Sequence, residues 1–318
     1  MEAEQLALFP VDRAGGEFGA AIAQENAPLS AQSSLAAAML PFRDFMLRQG
    51  FTQHTINSFL GDMRLAMRYL HPGTPLGQIR TKQLDDFLTW LSSRRGVPCS
   101  PKSYARRVTT LKVFFHWLKE EDILPVDPAA AVLQLRAASP LPLILYESQI
   151  VQVLATTEGL MNGEKPDARP HLLVSLLLAT GIKKSECMAI KLSHIDLSDP
   201  ASPVLYIRYE SARYHLKERK LRLPEGFPTT FSHYQVQYQP QTHLFECTAR
   251  NLEYVLADVA TRAGLSEGLS FEMLRWTCAV RDYQSGMEED HLRLKLGLSP
   301  ISWRDTLEKI RTLARPAL

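Results

Sequence analysis

The sequence predicts a mainly α protein of two domains: a four-helix N-terminal domain, and a mostly helical C-terminal domain with a small antiparallel β-sheet. Three observations carry this. Apolar residues recur at spacings of three and four from Leu35 to Leu118, the period of a helix with one buried face. Val204 to Arg208 and Leu216 to Leu223 alternate instead, as the two arms of a short hairpin do. Between these regions RAASPLPLIL, residues 136–145, sets two prolines in a short apolar run, which suits an extended linker.

Residues 1–34 are rich in Ala, Gln, Glu, Gly and Ser without a sustained period and read as a mobile tail, with a short helix near Phe18 to Gln24. The domain at 35–135 opens with a helix carrying Leu40, Phe42, Phe45 and Met46, broken at Gly50. Thr52 or Thr55 then caps a second helix, along which Ile56, Phe59, Leu60, Met63 and Met67 form a stripe. A third helix, Thr81 to Ser92, turns Leu84, Phe87, Leu88 and Leu91 inward. The fourth begins at Ser100-Pro101, a capping residue followed by proline at the first helical position. Its Tyr104, Val108, Leu111, Phe115 and Leu118 share one face, and Lys102, Arg106, Thr109 and Thr110 fall largely elsewhere.

Formal charge is only +2, so the chain as a whole is no obvious polyanion binder, but its cations are clustered. Arg80, Lys82, Arg94, Arg95, Lys102, Arg106, Arg107 and Lys112 face only Asp85 and Asp86 in the same stretch. The run reads either as a solvated helix surface or as a patch that meets phosphates. The longest apolar run, Leu172 to Ala179, contains Ser175 and falls far below the roughly 20 residues that span a bilayer. The start, MEAEQ, lacks the basic residues of a secretory signal, so a cytoplasmic protein with no membrane partner is expected. Cys99, Cys187, Cys247 and Cys278 form no C-x-x-C pair and read as free, mostly buried thiols. His194 and His291 have no second ligand at metal spacing, so neither metal nor cofactor is expected.

In the C-terminal domain, 146–318, a first helix starts at Tyr146-Glu147-Ser148-Gln149-Ile150, and a second, Pro170 to Thr180, ends at Gly181. There follow Ile182-Lys183-Lys184-Ser185-Glu186-Cys187, the hairpin, a helix from Asn251 to Gly264, and LSFEMLRWTCAVRDYQSGMEEDHLRLKLGLSPISWRDTL from Leu269 to Leu307. That last stretch resembles, without a gap, the C-terminal signature of the tyrosine recombinases (phage integrases). Leu274, Arg275, Thr277, Ala279, Gly286, Met287, Leu296 and Gly297 keep its frame. The segment from Gly181 to Asp196 resembles the family's second signature, with Glu186 at its buried acid. The four N-terminal helices resemble the family's core-binding (SAM-like) domain, down to Ile123-Leu124-Pro125 and Asp127-Pro128-Ala129.

The resemblance implies two domains that close around duplex DNA, and attack by a tyrosine on a phosphodiester without a metal. Such chemistry needs two arginines that clamp the phosphate oxygens, a lysine that protonates the leaving oxygen, histidines that assist, and the phenol itself. Of the implied positions only Arg275 keeps the family's residue. Lys183 stands for an arginine, Glu272 and Leu298 for histidines, Leu307 for the nucleophilic tyrosine and Tyr214 for the lysine, a role that Lys217 or Lys220 could take if the hairpin register slips. Tyr283 and Trp303 read as core packing. The expected function is therefore a DNA-binding relative that does not cut strands and acts as an architectural or regulatory subunit. It would bind double-stranded DNA through Arg80, Lys82, Lys102, Arg106, Arg107, Lys112, Lys217, Arg219 and Lys220, as a homo-oligomer or beside an active tyrosine recombinase. The alternatives are an active recombinase whose nucleophile is displaced, with Tyr283 as candidate, and a protein-interaction scaffold. An apolar edge of Leu307, Ile310 and Leu313 suggests self-association.

Overall fold

The hydrophobic clusters among the described residues gather the apolar stripes of the helices around them. A computed structural model describes residues 28–97, 99–133 and 140–315, and divides the chain into two compact units, Met1–Ser139 and Pro140–Leu318. The helix expected near Phe18 to Gln24 lies outside the described residues.

In the first unit α1 (Met39–Arg48), α2 (Gln53–Leu70), α3 (Thr81–Thr89) and α4 (Pro101–Glu120) form the four-helix domain. Thr52 and Ser100 cap α2 and α4 by accepting the amides of Thr55 and Ser103, the bonds that such side chains offer a helix start. Gly50 breaks the chain after α1 at φ +72. Phe42, Ile56, Met63, Leu84, Phe114 and Phe115 fill the centre, where Phe114 meets Phe42 and Phe115 edge to face. Three expectations are corrected. The third helix continues beyond Thr89 as a π-helical turn, Trp90–Arg94. Part of the expected tail belongs to the fold: Leu29 and Ala31 pack against the core, Ser34 bridges to Pro75, and the Ala31 and Ser33 carbonyls accept from Gly77 and Leu76. Leu40 is exposed rather than buried.

The second unit comprises α5 (Glu147–Asn162), α6 (Arg169–Thr180), α7 (Lys184–Met188), β1 (Ile195–Asp196), β2 (Val204–Ile207), β3 (Arg219–Arg222), α8 (Phe227–Tyr238), α9 (Ala249–Arg262), α10 (Phe271–Gln284), α11 (Glu289–Lys295) and α12 (Pro300–Ala314). Helix α6 is buried along most of its length, as its nearly continuous apolar run requires. The strands form one antiparallel sheet in the order β1-β2-β3. The expected hairpin exists, but its second arm starts at Arg219, because Ala212–Lys217 coils into a 3-10 helix. The expected linker is shorter at its C-terminal end. Leu145 is buried in this unit, its amide donating to Thr277 Oγ1, and Ile144 packs beside α12.

Helix α12 repeats the Ser-Pro start of α4, with Ser299 as its cap. It lays Trp303, Leu307 and Ile310 against Ala279 and Val280 of α10, Leu292 of α11 and Leu296 just after it. The apolar edge expected to serve self-association is thus consumed within the chain, because buried apolar area stabilises α12 where it stands. Trp303 and Tyr283 pack in this cluster. Two of the four thiols, Cys187 and Cys278, are buried, and Cys99 and Cys247 are half-buried. Among the described residues no helix is long and apolar enough to cross a membrane.

Candidate functional site

Strand parity decides which side chains of the hairpin reach the interior. Arg219 pairs with Ile207 and Leu221 with Leu205, and all four point to the core side, whereas Lys220, opposite Tyr206, points away. Arg219 is thereby delivered to Glu186, the third residue of α7, whose side chain is 1% exposed. The guanidinium grips both carboxylate oxygens, Nη1 to Oε1 at 3.1 Å and Nη2 to Oε2 at 2.9 Å. The Lys183 amide donates to Oε2 at 2.8 Å and the Tyr209 hydroxyl to Oε1. Burial alone would raise the Glu186 carboxyl; the Arg219 fork, the phenol and the amide outweigh it and hold the value down at about 2. Arg219 is therefore not a surface contact for DNA: it is a buried partner of Glu186, and its Nε is spent on the Lys295 carbonyl at 2.7 Å.

Lys183 and Arg275 join this centre from neighbouring elements. Gly181 closes α6 in the left-handed conformation, φ +59, which turns the chain so that Lys183 starts α7. Its ammonium lies 3.9 Å from Glu186 and 3.4 Å from the Gly297 carbonyl, and its side chain remains 36% exposed. Burial lowers its pKa, Glu186 opposes this, and Arg275, Lys217 and Arg219 lower it further. Lys183, Arg219 and Arg275 thus sit within electrostatic reach of one carboxylate, leaving an excess of positive charge that an anion would relieve. Arg275, on α10, spends Nη1 on the Gly181 carbonyl and Nη2 on that of Leu296, the latter at 2.7 Å. Gly297 lies against the group, its carbonyl facing Lys183. Its φ is +60, and a Cβ there would stand 2.7 Å from Arg219 Nη1, so only glycine lets the backbone come so near the fork.

The remaining expected positions do not join this group. Glu272 is exposed and forms no ion pair with Arg275 or Lys183 among the described residues. Leu298 is half-buried and Leu307 buried in the α10–α12 cluster. Tyr214 packs on Tyr209, ring centroids 5.7 Å apart, with the Lys217 ammonium 5.1 Å from its ring. Tyr209 was not expected at the site: it ends the alternating run after β2, and nothing in that pattern marks it. Burial first, and then its bond to Glu186, push its phenol up to about 12.

The expected basic face of the first unit is partly internal. Asp62, on α2, is buried and takes Arg106 at 3.0 Å, Arg107 at 3.5 Å and the Thr110 hydroxyl at 3.1 Å. Thr110 is buried rather than facing out, and Arg107 also reaches Cys99 Sγ. Arg106 keeps 39% exposure, so it alone of this pair still meets solvent broadly. The signal for Asp62 was in the sequence, since it falls on the apolar stripe of Phe59, Met63 and Ala66. Burial raises its carboxyl above the usual range, with Arg106, Thr110 and Arg107 opposing. Lys82, Lys102 and Arg80 are exposed, although the Arg80 guanidinium leans on the Gly77 carbonyl, and the half-buried Lys112 reaches the Ala130 carbonyl at 3.3 Å. Among the described residues no group of three His, Cys, Asp or Glu is placed to hold a metal ion.

Comparison with known proteins agrees with this architecture. Residues 42–122 match the family model described as phage integrase, N-terminal SAM-like domain. The chain is 33% identical over 152 residues to tyrosine recombinase XerC of Mycobacterium leprae, 47% of this chain and 50% of that protein. With tyrosine recombinase XerC of Mycobacterium bovis (strain BCG / Pasteur 1173P2) the identity is 30% over 165 residues, 51% and 54% of the two chains. The chain spans about half the length of the curated relatives it matches. Among solved structures it is similar to a lambda integrase dimer bound to a COC' core site, with TM-score 0.67, 16% identity and coverage of 92% and 81%. It is also similar to the XerH site-specific recombinase bound to difH substrate, with TM-score 0.61, 17% identity and coverage of 80% and 75%. Both likenesses show the fold. Over the matched parts the chain is similar to the tyrosine recombinases.

Proposed function

We propose that this chain binds double-stranded DNA in recombination or integration and does so without cutting strands, as an architectural or regulatory subunit. The observation that carries the reading is the cationic group of Lys183, Arg219 and Arg275 at Glu186, with Leu307 at the position that the resemblance gives the attacking phenol. A phosphate entering there would meet the partly exposed Lys183 as a point charge. Tyr209 brings a hydroxyl close, but its raised pKa, about 12, is the wrong direction for a nucleophile. Leu307 has no group to offer. The relatives matched over half their length are tyrosine recombinases, and the similar solved structures are an integrase bound to a COC' core site and a site-specific recombinase bound to difH substrate, which supports duplex DNA as the partner. Such a subunit would act as a homo-oligomer or beside an active recombinase.

The test is a titration of the full chain against random duplex DNA at two salt concentrations, with a denaturing gel of the same samples. Binding that weakens steeply with salt, and no covalent band, is expected. Lys183→Ala or Lys217→Ala should each lower the salt slope by about 1. No binding at low salt would overturn DNA binding; a covalent band would overturn the silence, and its loss in Tyr283→Phe would locate a displaced nucleophile.

A further inference from the structure

Among the described lysines that meet a carboxylate in the second unit, Lys183 is the least firmly paired. Lys184, Lys191 and Lys295 hold a carboxylate oxygen at 2.8, 3.1 and 2.6 Å. The Lys183 ammonium stands 3.9 Å from Glu186 Oε1, because that carboxylate is already engaged. The Arg219 fork grips both of its oxygens, and the Tyr209 hydroxyl and the Lys183 amide donate to them as well. The ammonium donates instead to the neutral Gly297 carbonyl, at 3.4 Å. Burial, and then the like charges of Arg275, Lys217 and Arg219, favour loss of its proton over the pull of Glu186. The side chain is nevertheless 36% exposed, so a small solute can reach it.

Desolvation and neighbouring cations are what make a lysine nucleophilic near neutral pH. The arginine that the resemblance gives this position keeps its proton and could not serve. The same cations attract anions, which selects the electrophile: a carbonyl carbon that carries a phosphate. We propose that Lys183 is an acylation site whose amine takes the acyl group of a small acyl phosphate. The nitrogen attacks the carbonyl carbon, a C–N bond forms, and the C–O bond to the phosphate breaks. Inorganic phosphate leaves with the bonding electrons and accepts the proton that the amine releases. Lys183 ends as a neutral amide. Under the DNA-binding reading above, this removes the exposed cation that a phosphodiester would meet; the acylation itself does not rest on that reading.

The test incubates the full chain with acetyl phosphate at pH 7 and follows Lys183 and Lys184 within one peptide by fragment mass spectrometry. Lys184, 49% exposed and paired with Glu253, is the internal reference. Lys183 should be acetylated about tenfold faster, the order expected where burial and like charge free an amine, and the two should react alike in urea. With the neutral ester N-hydroxysuccinimidyl acetate the preference should shrink and no longer fall with added salt, because only an anionic donor is gathered by the cations. Lys183 reacting no faster than Lys184 in the folded chain overturns the site. An equal preference with both reagents overturns the acyl phosphate as donor. Lys183→Gln, which carries an uncharged amide, should bind duplex DNA with a salt slope lower by about 1. Failure of the unmodified chain to bind duplex at low salt overturns the DNA-binding reading and leaves the acylation standing.

Discussion

Replacing Glu186 by glutamine would keep the shape of the side chain and remove the charge on which the second unit's interior cations depend. In the native protein its two oxygens accept both arms of Arg219, the Lys183 amide and the Tyr209 hydroxyl. Glutamine would turn an NH2 toward one of these donors and leave the buried Arg219 without a counter-charge, a defect that costs about 3–5 kcal/mol. A second route gives a similar size. The fall of the carboxyl from 4.5 to about 2, at 1.36 kcal/mol per pH unit, corresponds to about 3 kcal/mol. For a unit of this size that is a loss of roughly 6–12 °C in Tm. Since the folded value lies below the unfolded one, the contribution is full above 4.5 and is lost as pH falls through about 2. Hydrogen exchange read by mass spectrometry in urea, on peptides of α7, β3 and α10, would locate the loss in the second unit. The wild type should lose protection there between pH 5 and 2, and Glu186→Gln should lack that slope. A loss under about 1 kcal/mol at pH 7, or an acid slope equal to wild type, would refute the idea that this ion pair holds the site together.

Asp62 should respond to pH with the opposite sign. Its folded value is raised, so its contribution is full below 3.8 and is lost as pH rises through the raised value; exchange of α2 and α4 amides in Asp62→Asn should show that fall abolished. Gly297→Ala should lower the urea midpoint by the equivalent of about 1–2 kcal/mol, the cost of a side chain in the left-handed region, and more if the guanidinium held by Glu186 cannot yield. An unchanged midpoint would show that it yields freely. Leu307→Tyr puts a phenol at the position that the resemblance gives the attacking tyrosine, yet it should give no covalent DNA band and cost about 1–3 kcal/mol through overpacking against Trp303 and Ile310. A band would mean that α12 leaves its place.

Local signals were legible where they rest on neighbours in sequence. Thr52, Ser100-Pro101 and Gly181 mark helix ends by chemistry that operates within one turn, and the stripes of α2 and α4 follow from a period of 3.6. The fate of a cation does not follow from such rules. Arg219, Arg106 and Arg107 look alike in sequence to Lys82 and Lys102, yet the first three are bound to carboxylates 33 to 45 positions away, Glu186 or Asp62. Strand parity could have sorted Arg219 from Lys220 had the start of β3 been placed correctly. The 3-10 coil of Ala212–Lys217 hid it, because that stretch alternates well enough to pass for strand. The group itself depends on the carbonyls of Gly181, Lys217, Lys295, Leu296 and Gly297, and backbone groups carry no residue-type signal.

The seating of α12 on its own unit bears on kinetics. Trp303, Leu307 and Ile310 already occupy a place among α10 and α11, so a second copy cannot take that place by simple collision. Exchange of the helix between copies would begin with its release, a domain-swapping step. Its rate at high protein concentration would then be set within one molecule and would stop rising as more protein is added.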